Sequence, residues 1–134
     1  MKLNIYTLDG NNIDCKITSN INPTRSSLHS KARELLQAEF PYHSIMEEVY
    51  ISIFSKKKLP FDFFIPKLGL FIEVQGEQHF KFIPLFHKTK IAFMKAKVRD
   101  TYKKEWCSLN KYRLVELLYN ESIEEWKTKL YKIE

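Results

Sequence analysis

Leu59-Pro60-Phe61-Asp62-Phe63-Phe64-Ile65-Pro66-Lys67-Leu68-Gly69-Leu70-Phe71-Ile72-Glu73-Val74-Gln75-Gly76-Glu77-Gln78-His79 is the stretch on which the reading of this chain turns. Two apolar, aromatic-rich runs flank Pro66-Lys67-Leu68-Gly69, a turn signal, so the segment is expected to form a β-hairpin. Each run contains one acid, Asp62 in the first and Glu73 in the second. Burying an unpaired carboxylate is costly, and buried charges are normally paired or metal-bound. A hairpin that brings these two acids together, with Gln75 two residues on and His79 just beyond, has the make-up of a metal-binding catalytic edge.

Outward from the hairpin, the flanking segments alternate between helical and strand periods. Val49, Ile51 and Ile53 alternate with Tyr50 and Ser52, giving a strand that starts near Glu47-Glu48, and Lys56 to Lys58 read as a surface loop leading into the hairpin. Before it, Ser26 or Ser27 caps a helix through about Phe40, with Leu28, Ala32, Leu35, Leu36 and Phe40 on one face. Residues 19–25, with Pro23, read as a loop. The runs 2–8 and 13–18 around Asp9-Gly10-Asn11-Asn12 predict an accessory hairpin.

Downstream, residues 80–87 show no clear period. A long helix is expected from about Lys88 to Leu109, with Ile91, Met94, Val98, Tyr102, Trp106 and Leu109 forming its apolar face. Tyr112 to Leu118 reads as a strand. Ser122 with Glu125 is a capping box that starts a terminal helix whose apolar face holds Ile123, Trp126, Leu130 and Ile133. The expected order is hairpin, helix–strand–strand–strand–helix–strand, then helix: an α/β arrangement with helices packed on a central sheet.

At 134 residues, 44% of them apolar and 14% aromatic, the chain reads as one domain with a real core, which excludes a disordered protein. No apolar run approaches the roughly 20 residues needed to span a membrane. Met1-Lys2-Leu3-Asn4-Ile5 lacks a signal-peptide layout. Cys15 and Cys107 stand far apart and form no metal-type spacing, so two free thiols in a reducing cytoplasm are expected.

The net charge of +6 is unevenly spread. Residues 1–80 hold nine Lys/Arg against nine Asp/Glu, whereas residues 81–113 alone hold ten against two. A basic stretch following an acidic edge suits an enzyme acting on a polyanion: carboxylates hold a cation, and lysines hold phosphates.

The segment from about Ser26 to Glu121 resembles the PD-(D/E)XK nuclease superfamily, and within it the small phage and bacterial branch related to very-short-patch-repair endonucleases. The matching pieces are Ser26-x-x-His29, Ile45-Met46-Glu47-Glu48-Val49, Asp62-Phe63-Phe64-Ile65-Pro66 and Ile72-Glu73-Val74-Gln75-Gly76-Glu77-Gln78-His79. Arg99-Asp100-x-x-Lys103-x-x-Trp106-Cys107 and Leu114-Val115-Glu116-Leu117 match as well. The resemblance implies a restriction-endonuclease-like αβββαβ core with a mixed central sheet over 26–121. Residues 1–18 then form an accessory hairpin, and 122–134 a terminal helix.

The resemblance also implies an Mg²⁺- or Mn²⁺-dependent endonuclease acting on DNA. Asp62 and Glu73 take the places of the two metal-ligating acids, and Gln75 stands where the pattern expects a lysine. That lysine orients or activates the attacking water, so Lys97 or Lys103 would have to supply the charge from another element. His79 is a general acid or base, or a contact to the scissile phosphate. Glu48 (with Glu47 as its more exposed neighbour) and His29 complete the metal site or orient a water. Asp100 and Lys103, three apart on a helix, are spaced to pair with each other.

Lys56, Lys57, Lys58, Lys81, Lys88, Lys90, Lys97, Lys103 and Lys104 are the expected phosphate contacts. A homodimer pairing two active sites is compatible with this reading. Gln75 favours a second reading, a nuclease-fold protein of weak or no activity that binds nucleic acid or a replication partner.

Overall fold

The computed structural model describes residues 1–22 and 25–132. Pro23 of the expected loop and Ile133 of the expected terminal apolar face lie outside the described residues.

The elements follow the expected order. Strands β1 (Lys2–Tyr6) and β2 (Asn12–Lys16) form an antiparallel hairpin. Helix α1 (Ser27–Glu39) follows, its first turn capped by the Ser26 hydroxyl, which accepts from the His29 N–H. Strands β3 (Met46–Phe54), β4 (Lys57–Ile65) and β5 (Leu70–Gln75) come next. Lys57 and Lys58 therefore belong to β4, and only Ser55-Lys56 forms the turn, because the β3–β4 ladder runs down to Phe54↔Lys57. A one-turn helix α2 (Pro84–His87) precedes the long α3 (Lys90–Leu109), then β6 (Arg113–Leu118) and α4 (Ile123–Tyr131). The Ser122 hydroxyl accepts from the Glu125 N–H, as the capping box requires.

The main sheet runs β3-β4-β5-β6 and is mixed: β3–β4 and β4–β5 are antiparallel, β5–β6 parallel. Gly69 closes the β4–β5 turn in the left-handed region (φ 58), where a Cβ would be strained. Each sheet face buries its own apolar cluster. On one face Val49, Ile51, Phe61, Phe64 and Phe71 pack with Trp106 and Cys107 of α3 and with Ile5 and Cys15 of the hairpin. On the other, Phe63, Ile65, Leu70 and Ile72 meet Leu35 and Leu36 of α1 and Trp126 and Leu130 of α4. Helices thus cover both faces of the sheet.

Along an undisturbed strand, residues two apart share a face. Yet Phe61 belongs to the α3 side and Phe63 to the α1 side. The same slip occurs opposite, in β3: Val49 is on the α3 side, whereas Glu47 reaches α1. Between Glu47↔Phe63 and Val49↔Phe61 stand Glu48 and Asp62, and Glu48 adopts φ 46, in the left-handed region uncommon for a residue with a side chain. The strand faces therefore turn over at the level of Asp62 while the register is kept, and the register shift of this ladder lies further along, between Ser52 and Phe54.

The long helix departs from its expected packing. Ile91, Met94, Val98 and Leu109 are exposed, Tyr102 is half-buried, and only Trp106 and Cys107 are buried. The N-terminal half of α3 overhangs the packed clusters, and its Ile91, Met94 and Val98 line an open groove with Lys57 and Tyr102.

Candidate active site

The β4–β5 ladder pairs Phe63↔Ile72 through Ile65↔Leu70 and goes no further. Beyond it the strands are held by the two acids themselves. The Asp62 N–H donates to Glu73 Oε2 (3.0 Å), and the Val74 N–H donates to Asp62 Oδ2 (2.8 Å). Each carboxylate thus takes up a main-chain donor of the other strand. This cross-lock explains how two acids sit in an otherwise apolar hairpin.

The remaining oxygens face cations. Lys103 Nζ reaches Glu73 Oε1 at 2.5 Å, and Arg25 Nη2 reaches Asp62 Oδ1 at 2.9 Å. Arg25 Nη1 also lies 3.7 Å from Glu48 Oε2. Burial, and then the neighbouring Asp62 carboxylate, push the Glu73 carboxyl well above the usual range, against the opposing pull of Lys103. Asp62 moves the other way. Burial raises it, but the hydrogen bond with Glu73, the Val74 N–H and the Arg25 guanidinium together hold it below its ordinary value.

Gln75 is buried and lies on the same side of β5 as Glu73, two residues away. Among the described residues its side chain makes no hydrogen bond, so its amide oxygen remains available as a donor to a cation. His79 ends a single 3₁₀ turn after β5, and its Nδ1 lies 3.2 Å from Asp100 Oδ2. Asp100 and Lys103 therefore do not pair with each other. They project from the same flank of α3 to two different partners in β5 and the following turn. Cys107, one further turn along, is buried, and that burial pushes its thiol up to about 12, so it is not a nucleophile. Cys15 is likewise a buried free thiol.

Glu47 and Glu48 exchange the positions expected of them. Glu47 is buried, accepting from Arg33 Nε and Nη2 at 2.9 and 2.8 Å and lying 3.1 Å from His29 Nε2. Glu48 is the more exposed of the two and faces Arg25. The slip in β3 turns Glu47 inward to α1. His29 is accordingly buried, stacked 4.5 Å from Phe63, and hydrogen-bonded to Glu47 rather than to Asp62 or Glu73. The spacing of His29 and Arg33, four apart on α1, was the sequence signal for this cluster. Arg25, in a polar segment without period, had none.

The expected phosphate-binding lysines fall into two groups. Lys56, Lys57, Lys58, Lys88 and Lys90 are exposed and make no ion pair among the described residues. Lys81 pairs with Glu77, Lys104 with Glu116, and Lys97 lies over the Phe80 and Phe93 rings. Lys103 belongs to the acidic pair instead.

Among the described residues no three His, Cys, Asp or Glu side chains gather into a metal-holding group. Mg²⁺ is an ion that takes only one or two carboxylates and fills its shell with water and substrate oxygens. The cations already drawn to the outward oxygens of Asp62 and Glu73 mark where positive charge is stabilised. The donor set fits a hard divalent ion held by Asp62, Glu73 and Gln75.

No family model and no solved structure matches the chain. It is 42% identical over 73 residues to uncharacterized protein 307L of Invertebrate iridescent virus 6, covering 54% of this chain and 36% of that protein. It is also 36% identical over 73 residues to uncharacterized protein 033L of Invertebrate iridescent virus 3, covering 54% of this chain and 38% of that protein. The similarity thus spans little more than a third of the length of either relative.

Proposed function

We propose that the chain is a metal-dependent endonuclease that hydrolyses phosphodiester bonds in DNA, built on a PD-(D/E)XK-type site. One observation carries the reading: Asp62 and Glu73 are interlocked where the strand faces turn over, with the Lys103 ammonium brought onto Glu73 from α3. Gln75 leaves the strand without the cation that such a site uses beside the attacking water, and Lys103 supplies that charge from a helix.

Asp62, Glu73 and Gln75 would hold Mg²⁺ or Mn²⁺, which would supply an acidified water and positive charge beside the phosphoryl oxygens. The rest falls to the chain. Lys103, fixed by Glu73, orients the attacking water and adds positive charge beside the phosphate. The Asp100 carboxylate beside Nδ1 orients His79 and leaves Nε2 to relay a proton from the attacking water to the departing oxygen. The exposed lysines 56–58, 88 and 90, with Lys81, Lys97 and Lys104, hold the flanking phosphates.

The test is incubation of the purified protein with labelled linear, nicked and branched DNA in Mg²⁺, Mn²⁺ or EDTA, beside an Asp62→Ala/Glu73→Ala control. Cleavage that needs metal and disappears in the control supports the enzyme and begins to define its substrate. Salt-sensitive binding without cleavage on every substrate refutes it in favour of a nucleic-acid-binding protein on the same fold.

A further inference from the structure

We propose that Arg25 is a resident counter-ion of Asp62 that a divalent cation displaces, and that the displaced guanidinium then binds the substrate phosphate. The inference rests on the metal-dependent reading above and adds a coupling between the two ligands.

Its ground is the unequal way in which the two cations of the site are held. Asp62 Oδ2 is committed to the Val74 N–H, so Oδ1 is the oxygen left for an incoming ion, and Arg25 occupies it at 2.9 Å. The same guanidinium lies within 3.7 Å of Glu48, so it bridges two carboxylates. Lys103, on Glu73, cannot withdraw readily. It stands in the middle of α3, three residues before the fully buried Trp106, and its side chain is 13% exposed.

Arg25 is differently placed. It precedes the α1 cap residue Ser26, its side chain is 27% exposed, and a 3.4 Å bond from its N–H to the Asn22 carbonyl is its local main-chain tie. It is the cation that can leave without disturbing a helix or a core. A guanidinium recognises phosphate through two parallel N–H bonds. A phosphate oxygen that shares the ion with Asp62 lies within reach of the same side chain. Arg25 thereby exchanges one anion for another, and metal and nucleic acid each favour the other's binding, as reciprocal linkage demands.

The experiment uses the full chain with Mn²⁺ as the metal probe. Its affinity for the free protein is read by calorimetry, and affinity for a labelled duplex is compared in Ca²⁺ and in EDTA at matched ionic strength. Arg25→Gln should bind Mn²⁺ about fivefold tighter, as expected for removing one partly exposed competing pair. The Ca²⁺-dependent gain in duplex affinity should shrink toward one, and Arg25→Lys should restore part of it. Melting curves establish that both variants are folded, and Asp62→Asn, which should lose Mn²⁺ binding, fixes the site.

Unchanged or weaker Mn²⁺ binding by Arg25→Gln, or a Ca²⁺-dependent gain as large as wild type, overturns the role of Arg25 while leaving the metal site standing. Absence of Mn²⁺ binding in wild type and variant alike overturns the metal site and this inference together.

Discussion

Glu47 shows how one carboxylate can be stabilised away from the chemistry. Burial pushes it up, but hydrogen bonds from Arg33 and His29 outweigh burial and leave it below the ordinary 4.5. A folded-state value below the unfolded one means that the unfolded chain binds more protons between the two. The stabilisation is therefore complete above about 4.5 and is lost as pH falls through the folded value. Glu47→Gln should cost about 2 kcal/mol at neutral pH and flatten the acid limb of stability. Urea midpoints of both proteins across the acid range check this, and parallel curves would refute it. The meeting of Asp62 and Glu73 was legible in the sequence because two acids interrupt apolar runs on either side of a turn. The exchange of Glu47 with Glu48, and the place of Arg25, were not. A left-handed residue at Glu48 decides them, and no period in the sequence encodes that irregularity.

At the scale of elements, α3 divides into an anchored half and an overhanging half. Trp106 packs against Phe61, Phe71 and Tyr112, so Trp106→Ala should cost about 3–5 kcal/mol. Met94→Lys, on the overhang, should change stability by less than about 0.5 kcal/mol. Denaturant midpoints of the two variants separate these cases, and a large cost at Met94 would contradict the overhang. The helix and its ends were readable from sequence. Its apolar spacing at Ile91, Met94 and Val98 misled because periodicity reports a face and not what lies beneath it. The central hairpin was the clearer element, since Pro66 to Gly69 gave the turn and the two acids gave the register. The two-sided burial of the sheet, with Phe61 and Phe71 on one face and Phe63 and Ile72 on the other, emerged only from the structure.

For the whole molecule, charge and candidate site meet at α3: the excess of Lys/Arg is concentrated in 81–113, which contains that helix, and Lys103 of the same helix reaches Glu73 of β5. Binding to DNA should therefore weaken steeply with salt, log K falling by about 0.9 per neutralised phosphate for each unit of log salt. Lys88→Glu/Lys90→Glu should reduce that slope by about two if both lysines contact the backbone, while leaving metal affinity unchanged. Filter binding across a salt series decides it, and an unaltered slope would remove the overhanging end of α3 from the interface. The α/β class was legible at this scale from element order, which predicts helices packed on a central sheet; that they cover both faces is a finding of the structure. The candidate site was legible in its acids and in a choice of two lysines, Lys97 and Lys103, and the fold places the second of them, thirty residues beyond Glu73, on that acid. The measurement that bears most directly on this account is the single-turnover cleavage rate of Lys103→Met at saturating Mn²⁺ and DNA. A rate lower by about 10²- to 10³-fold, with DNA affinity within about twofold of wild type, is the expected result. A wild-type rate would show that Lys103 does not stand in for the missing strand lysine, and would contradict the site as described.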